Sequence, residues 1–375
     1  MKSSRIDWVD IYKGILIFLM VLGHSCNIFL LPWIYGFHMA GFFFISGYTT
    51  NYDKYDFVTY IKKKTKSLLV PFIGINVFSF IIQLLLNLTG LYNVYYNNQF
   101  SFTSLINFFK YFSTFDLAGA SWFLFVLYIA SILSKLLYDI IKGYNVKDNI
   151  SIHLIICFII FIIFYCLFYR TGEKIAYFLD LIPISTFFLS LGTFAFNKNM
   201  LIKNKYNNII KILLCCFYIT NISFYNQPTD WAGRIFPPLY ILLFNSLGGI
   251  LLLIGISKII VFLKNKIKLI YIFLNYLGKN TLEILKYHFL SFRVIFTILY
   301  VFKYLDISKL KCLVPPYYGF IETLLTAVIA VIFSLLFSIC INCIYKIMKK
   351  VINNFINKIP EKYNFIALIK NIKIQ

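Results

Sequence analysis

IYKGILIFLMVLGH at residues 11–24 and GFHMAGFFFISGY at residues 36–48 are neighbouring apolar runs, and each carries a histidine. Runs of this kind cross the ~30 Å of a bilayer's hydrocarbon core, where an imidazole costs free energy that a leucine would not. Working outward, comparable runs occupy residues 11–31, 34–48, 67–88, 120–141 and 150–169 in the first half. Residues 175–196, 209–224, 239–263, 282–302 and 320–344 complete the set in the second. The connecting loops are short and rich in Lys, Asn and Tyr. The sequence therefore reads as an all-α integral membrane protein with about ten transmembrane helices. At ~1.5 Å per residue the second run reaches only ~22 Å, so it is expected to tilt little, line a water-filled cavity, or sit where the bilayer is thinned.

A chain that is 60% hydrophobic and 13% charged fits no ordinary water-soluble domain. Its formal charge of +22 raises the question of nucleic acid, but the cations alternate between loops. One set of loops holds Lys2, Arg5, Lys54, Lys62, Lys63, Lys64, Lys66, Lys142, Lys147, Lys198, Lys203, Lys205, Lys211, Lys264, Lys266 and Lys268; the other is much poorer. That is the pattern of membrane topology, so no nucleic-acid partner is expected, and the N- and C-termini are both expected in the cytoplasm. Of eight cysteines only Cys312 falls in a loop, and Cys340-x-x-Cys343 lacks both a second half and a nearby histidine, so no metal is expected. Residues 22–26 gesture at a lipoprotein signal, yet His24 beside the cleavage point fits poorly and the run is expected to be retained.

No repeat, Pro-rich linker or soluble insert divides the chain. Residues 1–348 read as one transmembrane unit and residues 349–375 as a basic tail. In the tail, Val351, Ile352, Phe355, Ile356 and Ile359 share one helical face, as in a helix lying on the inner leaflet. A solubilising tail that is amphipathic by chance is the alternative.

Lys13 and His24 lie about three helical turns apart on one face of the first run, ~16 Å along its axis. Asp10 falls within ~40° of that face, and Ile17, Met20 and Val21 fill the interval. A cation thus marks one end of an apolar stripe and an imidazole the other. The turn at Pro32 and Trp33 is tight, so His38 is expected at a depth similar to His24. A neutral imidazole keeps one ring nitrogen to accept a proton, which suits a general base. For His38, near the span end, a hydrogen bond to a neighbouring helix explains the residue equally well. Lys62, Lys63, Lys64 and Lys66 form the densest charge cluster. It serves either as an anchor against anionic lipid or as a clamp for the phosphates of a nucleotide-bearing donor.

Arg5-x-Asp7-Trp8-Val9-Asp10-Ile11-x-Lys13-Gly14, then Leu22-Gly23-His24, then Phe37-His38-Met39 running into Phe42-Phe43-Phe44-Ile45-Ser46-Gly47-Tyr48, resemble the opening of the acyltransferase 3 family. The fucose 4-O-acetylase-like branch is the nearest within it. Weaker similarities are Leu69-Val70-Pro71-Phe72, Trp122-Phe123-Leu124, and Leu277-Gly278-Lys279-Asn280-Thr281-Leu282-Glu283 leading to His288. The resemblance implies a multi-pass enzyme of the cell membrane, in a bacterial-type envelope, that takes an acyl group from cytoplasmic acyl-CoA. Acetyl-CoA is the expected donor. The acceptor would be a sugar hydroxyl of a cell-surface polysaccharide or of its lipid-linked precursor. It also implies catalysis by the histidine at position 24 and coenzyme binding by Lys13, Lys62, Lys63 and Lys64; that His38 faces the same cavity as a second catalytic imidazole is the expectation from its depth. Lysines stand here where many members carry arginines, which keeps the charge but loses the bidentate fork.

Asp10, Trp122, Glu283 and His288 are candidates for holding the acceptor, each with a plainer alternative. Asp10 could merely balance a helix start, and Trp122 could anchor at the interface. Glu283 could form a capping box with Asn280, and His288 could simply be packed. His153 reads as structural. Asp116, Asp230, Trp231 and Arg234 make an acidic and aromatic surface suited to a sugar. The competing functions are a polysaccharide transporter or flippase, since ionisable residues between helices serve a transport path too, and a non-catalytic component of a glycan-assembly complex.

Overall fold

The computed structural model describes residues 6–25, 30–169, 175–201, 205–224, 229–315 and 319–358. Among them the secondary structure is helical throughout, apart from a single antiparallel bridge between Asp230 and Ile235. In chain order the first helices are α1 (Asp7–Gly23), α2 (Leu31–Tyr35), α3 (His38–Tyr48), α4 (Phe57–Lys64) and α5 (Val70–Leu88). Next come α6 (Tyr92–Tyr95), α7 (Thr103–Tyr111), α8 (Trp122–Gly143), α9 (Asn149–Phe164) and α10 (Ile182–Asn197). The chain continues through α11 (Lys205–Phe224), α12 (Leu239–Phe262), α13 (Lys268–Lys279), α14 (Thr281–Val301) and α15 (Phe320–Lys358).

Among the described residues seven helical runs are long and apolar enough to cross a membrane: those built on α5, α8, α9, α10, α12, α14 and α15. The other three expected runs fall on α1 (17 residues), α3 (11 residues) and α11, whose apolar stretch is limited to Ile210–Ile222; all three are shorter. Hydroxyls inside these helices bond back to their own backbone, as Thr186 Oγ1 does to the Ile182 carbonyl (2.8 Å) and Ser257 Oγ to the Leu253 carbonyl (2.7 Å). That satisfies polar groups where no water is at hand. Large apolar side chains such as Leu85, Ile159, Leu213 and Phe262 are exposed on the outer faces of α5, α9, α11 and α12, where only lipid would cover them.

The centre of the bundle is built on α1 and α3. Backbone approaches that only glycine permits hold each in place. A Cβ on Gly278 of α13 would lie 1.8 Å from the Asp10 carbonyl oxygen, and one on Gly14 would lie 2.0 Å from the Leu274 carbonyl oxygen. Between α3 and α10 the same reciprocity holds, with Gly47 against the Leu189 carbonyl (1.8 Å) and Gly192 against that of Phe44 (2.0 Å). The shortness of α3 follows: residues 38–45 and 47 are all buried in protein, so this helix meets its neighbours and not the full thickness of a bilayer.

Two expectations change. The lysine cluster is not in a loop ahead of a span: α4 runs into α5 through a π turn at Thr65–Leu69. The amide of Val70 reaches back to the Thr65 carbonyl there, just before Pro71, which has no amide hydrogen to continue the α pattern. At the other end, α15 continues without a break past position 349 to Lys358. At ~1.5 Å per residue its 39 residues extend ~58 Å, well beyond one bilayer core. The remainder of the expected surface helix, residues 359–375, lies outside the described residues.

Candidate active site

Two cavities open against opposite ends of α1. At the Asp7 end, Val9, Asp10 and Lys13 of α1 meet Tyr48 of α3, then Thr49, Thr50, Asn51, Lys54 and Tyr55, and Tyr60, Lys63 and Lys64 of α4 around a space of about 660 Å³. Four ammonium groups line it: Lys13, Lys54, Lys63 and Lys64. Lys13 and Lys64 are close enough to act on each other electrostatically. The Lys63 Nζ sits 3.5 Å from the ring centroid of Tyr55, with Lys54 on the same ring at 5.4 Å, and Lys64 lies 5.4 Å from that of Tyr60. Aromatic faces thus hold three of the cations without neutralising them. Such a cavity has the size of a cofactor site and the charge of a phosphate site. Lys62 faces out and does not line it. Lys54, which the sequence reading left among the topology lysines, does.

At the other end of α1 a smaller cavity of about 60 Å³ is lined by Met20 and His24, by Tyr35, His38, Met39 and Phe42, by Ala120, Trp122 and Phe123, and by residues 229–232 and Leu285. His24 is the residue that ends α1, its amide bonded to the Met20 carbonyl (3.1 Å). His38 opens α3. Its Nδ1 lies 3.0 Å from the Ile34 carbonyl, and a carbonyl only accepts, so Nδ1 carries the proton and Nε2 is the ring's acceptor. His288 of α14 is in the same state: Nδ1–H donates to the Leu285 carbonyl (3.0 Å), and its buried Nε2 has no partner among the described residues. The His24 ring stacks on that of His288 with centroids 5.3 Å apart and packs tilted against Phe289 at 5.0 Å. Tyr35 covers His38 at 4.9 Å. Three imidazoles therefore converge, two of them in fixed tautomers. Among the described residues no set of three or more His, Cys, Asp or Glu side chains is arranged to hold a metal ion.

Asp230 completes the group. It lines the cavity and is close enough for its charge to act on the His24 ring. The turn that carries it is closed by the paired backbone hydrogen bonds of Asp230 and Ile235 (2.9 and 2.8 Å). It is pinned from beneath by a buried bidentate ion pair in which Arg234 Nε and Nη2 donate to Asp180 at 2.6 and 2.9 Å. The adjoining Trp231 stacks on Phe43 at 5.6 Å. Asp180 carries no motif, and nothing in the linear pattern joins it to Arg234.

The remaining sequence candidates divide. Trp122 lines the histidine cavity and stacks on Phe178 at 5.9 Å. His288 reaches the same cluster through its ring. Asp10 lines the lysine cavity, not the histidine one. Glu283 lines neither: its carboxylate accepts from Lys286 Nζ (2.8 Å) and Ser338 Oγ (2.8 Å), tying α14 to α15. The Asn280 amide bonds the Tyr276 carbonyl and forms no side-chain cap. His153 is buried and bonded to Ser134 Oγ at 3.2 Å. The apolar stripe expected along α1 is tightly packed: Ile17, 1% exposed, stands between Lys13 and Met20 and lines neither cavity, so the two cavities are separate.

A family model for an acyltransferase domain matches residues 6–343, nearly the whole chain, and the chain belongs to that family of membrane acyltransferases, the acyltransferase 3 family. No curated protein and no solved structure matches it.

Proposed function

From that membership and from the two cavities on α1, we propose that this multi-pass protein of a bacterial-type plasma membrane is an acyl-CoA:glycan O-acyltransferase. Acetyl is the acyl group, and the acceptor is a sugar hydroxyl of a cell-surface polysaccharide or its lipid-linked precursor, as in the fucose 4-O-acetylase-like branch that the sequence resembles. The observation that carries the proposal is that α1 joins a four-lysine cavity to a cavity lined by His24 and His38, about three turns away, where His288 stacks on His24.

In this reading the coenzyme's phosphates rest among Lys13, Lys54, Lys63 and Lys64, and its thin arm runs beside α1 once Ile17 and Met20 shift aside. His24 takes the proton of the sugar hydroxyl as the oxygen attacks the thioester carbonyl. The C–S bond then breaks, and the proton passes from imidazole to the departing thiolate. A positive charge on His24 during this step faces Asp230, which lowers its cost. His38 offers Nε2 to the same space. Trp122 and Trp231 supply apolar faces for the acceptor.

The test is thiol release from acetyl-CoA by the purified protein in detergent, with and without acceptor glycan, alongside mass spectrometry of glycan from a deletion strain. Acceptor-dependent release and loss of O-acetyl groups are expected. A deletion strain that makes fully acetylated polymer, or one that exports no polymer at all, would remove the proposal.

A further inference from the structure

A third cavity, of about 220 Å³, lies on another side of the elements that carry the histidine site. Its floor is Arg293 of α14 with Tyr92 and Tyr96, all buried; its rim holds Asp116, Asn97 and Lys311, all exposed. Tyr92 and Tyr96 stack at 4.6 Å, and the Arg293 guanidinium lies 5.2 Å from the Tyr96 centroid. Arg293 is 7% exposed. Its Nη1 donates to the Leu310 carbonyl, while its buried Nε has no partner among the described residues. A buried guanidinium with an unused donor is costly for the fold to keep, and here it faces a cavity wide enough for a ligand.

The chemistry of the lining selects the ligand class. A guanidinium fork suits a carboxylate or phosphate, and Lys311 adds a second cation against the single carboxylate of Asp116. The Asn97 amide and Asp116 carboxylate suit the hydroxyls of a pyranose. Two elements join this cavity to the histidines. The turn Asp116–Ser121 begins at its rim and carries Ala120, which with Trp122 just past the turn lines the histidine cavity. Arg293 sits five residues beyond His288, ~7.5 Å further along α14.

We propose that this cavity is an acceptor subsite for an anionic glycosyl unit, a sugar bearing a carboxylate, adjoining the unit that is acylated. The assignment rests on the glycan acceptor proposed above. It is tested by saturation-transfer NMR on the full chain in detergent, with D-glucuronate, D-glucose and inorganic phosphate as probes and no acyl donor present. Glucuronate is expected to bind at least about tenfold more tightly than glucose or phosphate. Arg293→Gln should weaken it about tenfold or more, and the exposed Lys311→Gln, which leaves the buried floor intact, about threefold. Glucose or phosphate binding as tightly as glucuronate, or wild-type glucuronate affinity in a folded Lys311→Gln, overturns the subsite. Because no acyl donor is used, glucuronate binding alongside absent thiol release defeats only the transferase reading. Thiol release without glucuronate binding defeats only the subsite.

Discussion

The imidazoles of His24 and His288 face each other with ring centroids 5.3 Å apart and planes inclined by 25°, joining the end of α1 to the middle of α14. His24→Ala is expected to lower acceptor-dependent thiol release by ~100-fold or more, the usual scale of a lost general base. His288→Phe keeps the ring stack and removes Nε2, and its loss should be smaller. A His24→Ala protein of wild-type rate would take the base away from position 24.

Charge removal should distinguish lysines that adjoin in sequence. Lys64 lines the cavity near α4 and Lys62 faces out. Lys64→Gln and Lys13→Gln are expected to raise the KM for acetyl-CoA about tenfold, the scale of one lost charge-assisted contact, with kcat little changed. Lys62→Gln should leave KM within about twofold, as an exposed charge does. Equal effects at 62 and 64 would return both to a topological role.

The Asp180–Arg234 pair holds the Asp230 turn. Asp180→Asn leaves a buried guanidinium without its counter-ion, at a cost of about 3–5 kcal/mol. A fall in thermal stability and in transfer rate is expected together. The Asp180→Leu/Arg234→Leu double variant should recover stability but not rate, because the turn loses its anchor while no charge is stranded. Rate recovery in the double variant would separate the turn from function.

Gly278→Ala would drive a methyl carbon to 1.8 Å from the Asp10 carbonyl oxygen. The obstacle is backbone, so α1 and α13 must part, at a cost of about 1–3 kcal/mol or more. Gly255, whose added Cβ would meet nothing within 4 Å, is the control, and Gly255→Ala is expected to be neutral or slightly stabilising. Thermal unfolding in detergent compares the two.

Outside the spans, Lys198 Nζ (2.6 Å) and Ser151 Oγ (2.7 Å) donate to Asp148 and hold its carboxyl down at about 2. A depressed carboxyl stabilises the fold fully above its unfolded value, ~3.9, and the contribution is lost as pH falls towards about 2. Asp148→Asn keeps an N-cap residue and removes the charge. Its melting temperature should trail the wild type by a small, constant margin from pH 7 to 5. The gap should close below pH ~4, and one that widens in acid would contradict the assignment.

What the sequence alone determined is what one helix can encode. Apolar runs specified helices in lipid, and the spacing of Lys13 and His24 put a cation and an imidazole about three turns apart on one face of α1. Family motifs are likewise local strings, so the family was legible at residues 5–48. The meeting of α1, α3 and α14 at His24, His38 and His288 was decided only by tertiary structure. So were the recruitment of Lys54 and Asp230, the Asp180–Arg234 anchor, and the closing of the stripe by Ile17. These contacts depend on how close the backbones come at Gly14, Gly47, Gly192 and Gly278 and on which faces then meet. Periodicity fixes the face a residue occupies on its own helix, but it carries no information about which other helix that face will touch.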